Sequence, residues 1–214
     1  FNEITKNLLK NAPGLIRLAS TPSIGIDLMP SLVADFCKKY PEVEIETHTL
    51  HLDQIEKKIK EMSIDIALAY DINSSDYFKS VTIFKGNFVL LAPPHISFKS
   101  PSVSCDDLKD LPFIKIDGPL STKLDNYFKS NNFKPNYVTT TDTYQIAKSL
   151  VSKGMGITIL DVISATNIDT EGVQTWQLDI PLEFTMNMIY SDQTVDSIAL
   201  NNFKTFLTNY NFKL

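Results

Sequence analysis

Apolar positions change their spacing several times along this chain, and each change predicts an element. Leu15 to Ala19 alternate in the manner of a half-buried strand. Leu28, Leu32 and Phe36, joined by Met29 and Val33, recur at i/i+4 and predict an amphipathic helix over Leu28–Tyr40. "VEIETHTL" (Val43 to Leu50) alternates again. Leu52, Ile55, Ile59 and Met62 then return at spacings of three and four. "IDIALAY" (Ile64 to Tyr70) is almost continuously apolar, as a strand buried on both faces should be. Strand, helix, strand, helix, strand in this order implies a parallel sheet with right-handed crossovers.

The stretch from Ser75 to Pro94 breaks the alternation. "VTIF" and "NFVLLAP" read as two short strands around Lys85-Gly86, and the turn-rich "PPHISFKSPSVS" follows. The pattern then restarts, with "PFIKI" as a strand, Thr122 to Phe128 as a helix and "NYVTTT" as a strand. Tyr144 to Lys153 is helical, and "GITIL" extended. "GVQTWQLD" and "FTMNMIY" are two further strands. A last helix carries Ala199, Phe203, Phe206, Leu207 and Tyr210 on one side. At the other end, Phe1 to Asn11 reads as the tail of a helix stopped by Ala12-Pro13-Gly14. Two similar α/β halves in tandem result, joined by an extended segment near residues 84–94.

Composition narrows the class. With 214 residues, 43% hydrophobic and 21% charged, the chain has the make-up of a globular protein. No apolar run approaches the roughly 18 residues of a membrane span, and no signal-peptide pattern opens the chain. The net charge is −5 and Arg17 is the sole arginine. Clustered cations for phosphate contacts are lacking, so this segment alone should not bind DNA. Cys37 and Cys105 have no metal or CxxC spacing and favour a reducing compartment. A redox role for either is a minor option, since acids beside Cys105 disfavour its thiolate. The chain opens on Phe1 instead of Met, which reads as a fragment of a longer protein or a processed one.

Most chemical motifs dissolve on inspection. In "GMGITIL" the amphipathic helix precedes the glycines, whereas a dinucleotide site needs strand, glycines, then helix. Gly154 instead falls where a left-handed helix cap belongs. His48 and His51, three apart on a strand, point to opposite faces and find no third ligand nearby. His51 reads better as a polar lining residue at a strand–helix junction, and His95 as a loop residue. There is no G-x-S-x-G, HExxH or P-loop, so neither an enzyme nor a cofactor or metal is expected. What recurs is hydroxyls. Ser20-Thr21-Pro22-Ser23, Thr49-Leu50-His51, Ser121-Thr122 (with a capping box to Asp125) and Thr139 to Thr143 all stand where a strand hands over to a helix. Capping accounts for one hydroxyl per cluster, not for several. Ligands of open α/β sheets bind outside the carboxyl ends of strands, so these clusters are expected to cradle a small anion or polar molecule.

The ordered set "GLIRLAS…LMPSLVADFCKKYPEVEIET", "IKEMSIDIALAY", "LVSKGMGITIL" and "NNFKTFL" resembles the effector-binding domain of LysR-type transcriptional regulators from Pro13 onward. The resemblance implies an α/β fold of two Rossmann-like lobes joined by crossover strands, like type 2 periplasmic binding proteins. Residues 1–13 would end a linker helix, residues 14–88 and 192–214 form one regulatory lobe, and residues 89–191 the other. It further implies a cytoplasmic sensor whose effector, a carboxylate or amino-acid-like metabolite, sits in the crevice between lobes. Ser20, Thr21, Pro22, Ser23, Leu50, His51, Leu52, Ser121, Thr122, Thr143 and Tyr144 would contact it. A homodimer or homotetramer, packing the Leu28–Phe36 helix antiparallel, and DNA contact only through an N-terminal winged helix-turn-helix outside this sequence complete the expectation; no membrane partner is implied. Two departures stand out: Asp161 replaces the proline that often follows the "GxGIxxL" strand, and Arg17, mid-strand, is no carboxylate clamp. A secreted solute-binding protein of the same fold is the alternative.

Overall fold

The computed structural model describes residues 14–166, 172–193 and 196–212. The helix expected before Pro13 lies outside them. The chain forms two compact units: one runs to Phe84 and resumes at Thr185, and the other spans Lys85–Phe184. Strand β4 (Lys79–Ala92) carries the chain out of the first unit and β10 (Glu183–Tyr190) carries it back.

In the first unit, β1 (Leu15–Ser20) lies between β2 (Glu44–Thr49) and β3 (Ile66–Tyr70), parallel to both. β10 adds antiparallel to β3, with Met188 opposite Leu68. All five residues of β3 are buried, which explains why its sequence does not alternate. Two helices follow β1: α1 (Pro22–Asp27) and α2 (Met29–Lys39). The single helix expected from Leu28 therefore begins six residues earlier and is broken at Leu28. Prolines decide both points. Pro22 occupies the first turn of α1, where its fixed φ suits a helix start and its missing N–H is not needed. Pro30 cannot donate back into α1, so the helix must restart with Pro30 in a new first turn.

Helix α2 buries Met29, Leu32 and Phe36. The Phe36 ring meets Phe203 and Phe206 of the last helix at centroid distances of 4.8 and 5.3 Å, both edge-on. Helix α3 (Leu52–Lys60) buries Ile55 and Ile59 against Ala67, Ala69 and Ile189 of the sheet.

The two short strands expected around Lys85-Gly86 are one strand, the fourteen-residue β4. Gly86 does not take a left-handed φ, so the Lys-Gly pair makes no turn. Beyond it, Phe88–Leu91 pair antiparallel with β8 (Thr158–Asp161), and Val89–Ala92 with β9 (Gln174–Leu178). The short β5 (Ser102–Val103) runs parallel to β9, and a 3-10 turn at Cys105–Leu108 follows it. β6 (Pro112–Ile116) pairs parallel with β7 (Asn136–Thr141). Helix α4 (Ser121–Ser130) joins these two strands. Helix α5 (Tyr144–Ser152) connects β7 to β8, and a short α6 (Val162–Thr166) follows β8. Gly154 takes φ +76 just past α5, and the Met155 N–H returns to the Leu150 carbonyl at 3.1 Å. The helix cap expected there is what the backbone builds. Helix α7 (Ile198–Thr208) closes the first unit, with the Ser197 hydroxyl accepting from the Leu200 N–H.

Candidate functional site

In the first unit the ends of β1 and β2 are in register, Ser20 opposite Thr49. The Thr21 N–H reaches the Leu68 carbonyl at 3.1 Å and the Leu50 N–H reaches the Ser20 carbonyl at 2.9 Å. These bonds fix the start of α1 beside the start of α3. Ser20, Thr21, Pro22, Ser23, Leu50, His51 and Leu52 thus share one edge of this unit, at the carboxyl ends of its parallel strands.

The hydroxyls there are unusual in what they leave unmade. Ser20, Thr21 and Ser23 expose 0, 3 and 4% of their surface. Among the described residues, none of the three side-chain oxygens has a hydrogen-bond partner. Thr21 is the N-cap of α1 by backbone position, yet its side chain makes no cap bond; Ser23 lies inside the helix. Capping therefore uses none of them. A buried hydroxyl without a partner costs about 1–3 kcal/mol, so three together are a standing expense unless something fills them. Opposite them, His51 is exposed and is the N-cap of α3, and its N–H donates to Gln54 Oε1 at 3.1 Å.

The clusters of the second unit differ. Ser121 Oγ donates to the Gly118 carbonyl at 2.8 Å inside its own turn. Thr122 is exposed and does not cap α4, whose N-cap is Leu120. The expected capping box fails because Asp125 turns to the sheet instead, pairing with Lys115 Nζ at 2.8 Å and accepting from Tyr137 Oη at 3.3 Å. Thr143 Oγ1 donates to Asp142 Oδ1 at 2.9 Å, and its N–H donates to Thr141 Oγ1 at 3.1 Å. Tyr144 is buried, with its ring tip close to Gly118. Burial first, and the charge of Asp161 second, push its phenol well above the ordinary tyrosine range, so it stays neutral.

Asp161 is buried at the end of β8 and accepts from the Ser164 N–H at 2.9 Å, capping α6. Buried Lys148, one turn beyond Tyr144 on α5, donates to the Ser164 carbonyl at 2.7 Å. Lys148 shares the buried helical face of Tyr144, Ala147 and Val151, a spacing visible in the sequence. Arg17 is structural, as its position suggested: Nε and Nη2 clamp Asp65 at 3.1 and 2.7 Å, and the Arg17 N–H adds a third bond at 2.8 Å. That hydrogen bonding with Asp65 raises the guanidinium pKa further.

His48 pairs with Glu46 at 3.0 Å. Among the described residues no cluster of three or more His, Cys, Asp or Glu is placed to hold a metal, and no helix is long and apolar enough to cross a membrane. Cys37 and Cys105 are free thiols, and burial, helped by Asp106, raises the Cys105 pKa.

The pattern of these elements is a known one. The family model for the LysR substrate binding domain matches residues 10–211, and the chain belongs to that family. The HTH-type transcriptional regulator DgcR of Pseudoalteromonas sp is 26% identical, over 98% of this chain and 77% of its own length. Other curated relatives are spanned over only 50–60% of their length. Among solved structures, HinK, a LysR family regulator of Pseudomonas aeruginosa, superposes with a TM-score of 0.84 at 19% identity, over 96% of this chain and 73% of that one. The effector binding domain of QuiR, in complex with shikimate, gives a TM-score of 0.77 at 19% identity, over 92% and 96% of the two chains. The fold is thus that of LysR effector-binding domains, the type 2 periplasmic-binding-protein-like arrangement.

Proposed function

We propose that this domain senses a small polar effector through the hydroxyl edge of its first unit. One observation carries the reading: Ser20, Thr21 and Ser23 are buried at the carboxyl end of β1 with no hydrogen-bond partner. A ligand supplying those partners would recover the desolvation cost, and this edge is where open α/β sheets bind ligands. The relatives' descriptions as HTH-type transcriptional regulators support a role in transcription control, with DNA contacted by a part of the full protein beyond this segment. The shikimate bound to QuiR supports a small oxygen-rich metabolite.

A metabolite screen by thermal shift, followed by titration of the best compound, tests this. Ser23→Ala should weaken its binding by about 1–3 kcal/mol if the contacted group is charged. Unchanged affinity in Ser23→Ala, together with a lowered midpoint without ligand, would return Ser23 to a structural role and remove the site.

A further inference from the structure

Helix α3 is too short for the strand it lies against. Its nine residues rise about 14 Å, while the six of β1 extend about 20 Å. Leu15, Arg17 and Ala19 alternate onto one face of β1, and Ala19 is packed in a core cluster with Ile55 and Ile59 of the helix. Where α3 ends, that face is left open. Leu15, Ile59, Met62, Ile64 and Leu200 give a groove of about 500 Å³ its apolar lining. Leu15 and Met62 expose 49 and 55% of their surface, and Ile198, between the lining residues Ser197 and Leu200, exposes 52%. Large apolar side chains gathered half-exposed around one groove form a surface that gains by being covered. The charged groups in it, Arg17 and Asp65, neutralise each other at 2.7 Å, so the groove offers no net charge to draw an ion.

The chain itself brings a cover to this spot. Gly14 enters β1 against the first turn of α7, so close that a side chain on it would collide with Ala199. Ala12 and Pro13 allow a reach of roughly 11 Å at most between Gly14 and Asn11. In Phe1–Asn11, Phe1, Ile4 and Leu8 recur at spacings of three and four with Leu9 beside them. On a helix, Glu3, Lys6 and Lys10 would fall on the opposite side. We propose that this groove is the docking site of the chain's own Phe1–Asn11 segment, whose apolar stripe covers Leu15, Met62 and Ile198. β1 and α3 both run between this groove and the hydroxyl edge. The docked segment and the effector contacts proposed above therefore sit at opposite ends of the same two elements, although the assignment does not rest on those contacts.

Thiol labelling of the intact chain tests this, read site by site in a mass spectrometer with native Cys105 of the other unit as reference. The new thiol of Met62→Cys should react with a maleimide more slowly than that of Met62→Cys/Leu8→Glu, where a charge in the stripe expels it from the groove. The ratio should be roughly tenfold or more, as for a segment docked about nine-tenths of the time, and Cys105 should react equally in both. Ile198→Cys, also beside the groove, should show the same ratio; both positions are half-exposed, so neither cysteine opens the core. Lys6→Glu, away from the stripe, should leave the protection in place. Docking within one chain is independent of concentration, so protection should survive about a hundredfold dilution. Protection lost on dilution would put a second copy in the groove and overturn the assignment. Equal rates with and without Leu8→Glu at both positions would overturn it too, as would an equal loss of protection in Lys6→Glu.

Discussion

The hydroxyl-rich edges of the two units look alike in sequence and behave oppositely in structure. Ser20, Thr21 and Ser23 of the first unit are buried, and among the described residues their side-chain oxygens have no partner. Ser121 and Thr143 of the second have satisfied themselves, one on the Gly118 carbonyl and the other on Asp142. A hydroxyl that has used its proton locally holds a turn together. One that is desolvated and unsatisfied carries an uncompensated desolvation cost. Residue type at a strand–helix junction therefore says little; the fate of its hydrogen bonds tells the two edges apart.

The largest effect expected from this contrast is steric. Ser23→Leu should abolish effector binding, because Ser23 is buried and its hydroxyl is the contact proposed above, whereas Thr122→Leu at the exposed start of α4 should leave affinity unchanged in titration. Equal losses in both variants would erase the distinction.

Next comes a difference of sign. Without ligand, Ser20→Ala should raise stability by about 1 kcal/mol by deleting an unmatched buried hydroxyl, and Ser121→Ala should lower it by about 0.5–1 kcal/mol by deleting a made bond. For a chain of this size each corresponds to a shift of roughly 2–4 °C in calorimetric midpoint, upward for the first and downward for the second. Two downward shifts would show that the Ser20 hydroxyl has a structural partner.

A third test uses alkali. Tyr127, Tyr137 and Tyr144 of the second unit all have pKa values raised chiefly by burial, as has Tyr210 of the first. A raised folded-state pKa means the folded protein keeps protons that the unfolded chain gives up. The stabilisation is complete below the unfolded value of about 10 and is lost as pH climbs above it. Trp176, in β9 of the second unit, should therefore report loosening above about pH 10, and Tyr144→Phe should move that transition to higher pH. A transition insensitive to Tyr144→Phe would assign the alkaline response elsewhere.

The smallest effect belongs to exposed pairs such as Lys38–Asp35, where Lys38→Ala should change stability by less than about 0.5 kcal/mol in denaturant titration.

Much of the fold was written in periodicity because burial is what periodicity records. β3 had no polar position since both its faces are covered, and α3 showed its Ile55–Ile59 stripe since one face is. Where the governing factor was a hydrogen bond or a missing atom, the pattern was silent. The break at Leu28 depended on Pro30 lacking a donor, which an apolar stripe running through Met29 and Leu32 conceals. Lys85-Gly86 carries a turn composition, yet the backbone runs extended through it in β4, which pairs with β8 just beyond. At the candidate site, residue types were legible and their use was not. Thr122 and Asp125 have the spacing of a capping box, but Lys115, on a strand ten residues earlier, offers Asp125 an ion pair. Gly25 could be seen as a weak helix residue, while the two oxygens crowding it come from Ser20 and from Thr49 on another strand.

The order in which the chain visits its two units has a consequence for its birth on the ribosome. The second unit is contiguous, from Lys85 to Phe184, whereas the first must wait for β10 and α7. As the nascent chain emerges, residues up to Phe84 lack the strand that pairs with β3 and the helix whose Phe203 covers Phe36. Long-range closure of this kind is slow and leaves apolar surface open to chaperones and to aggregation. A chain stalled after Phe184 should therefore protect its second half from protease before its first, and a nonsense mutation before α7 should yield a half-folded, insoluble product. Of the two units, the one that holds the hydroxyl edge is begun before the other and completed after it.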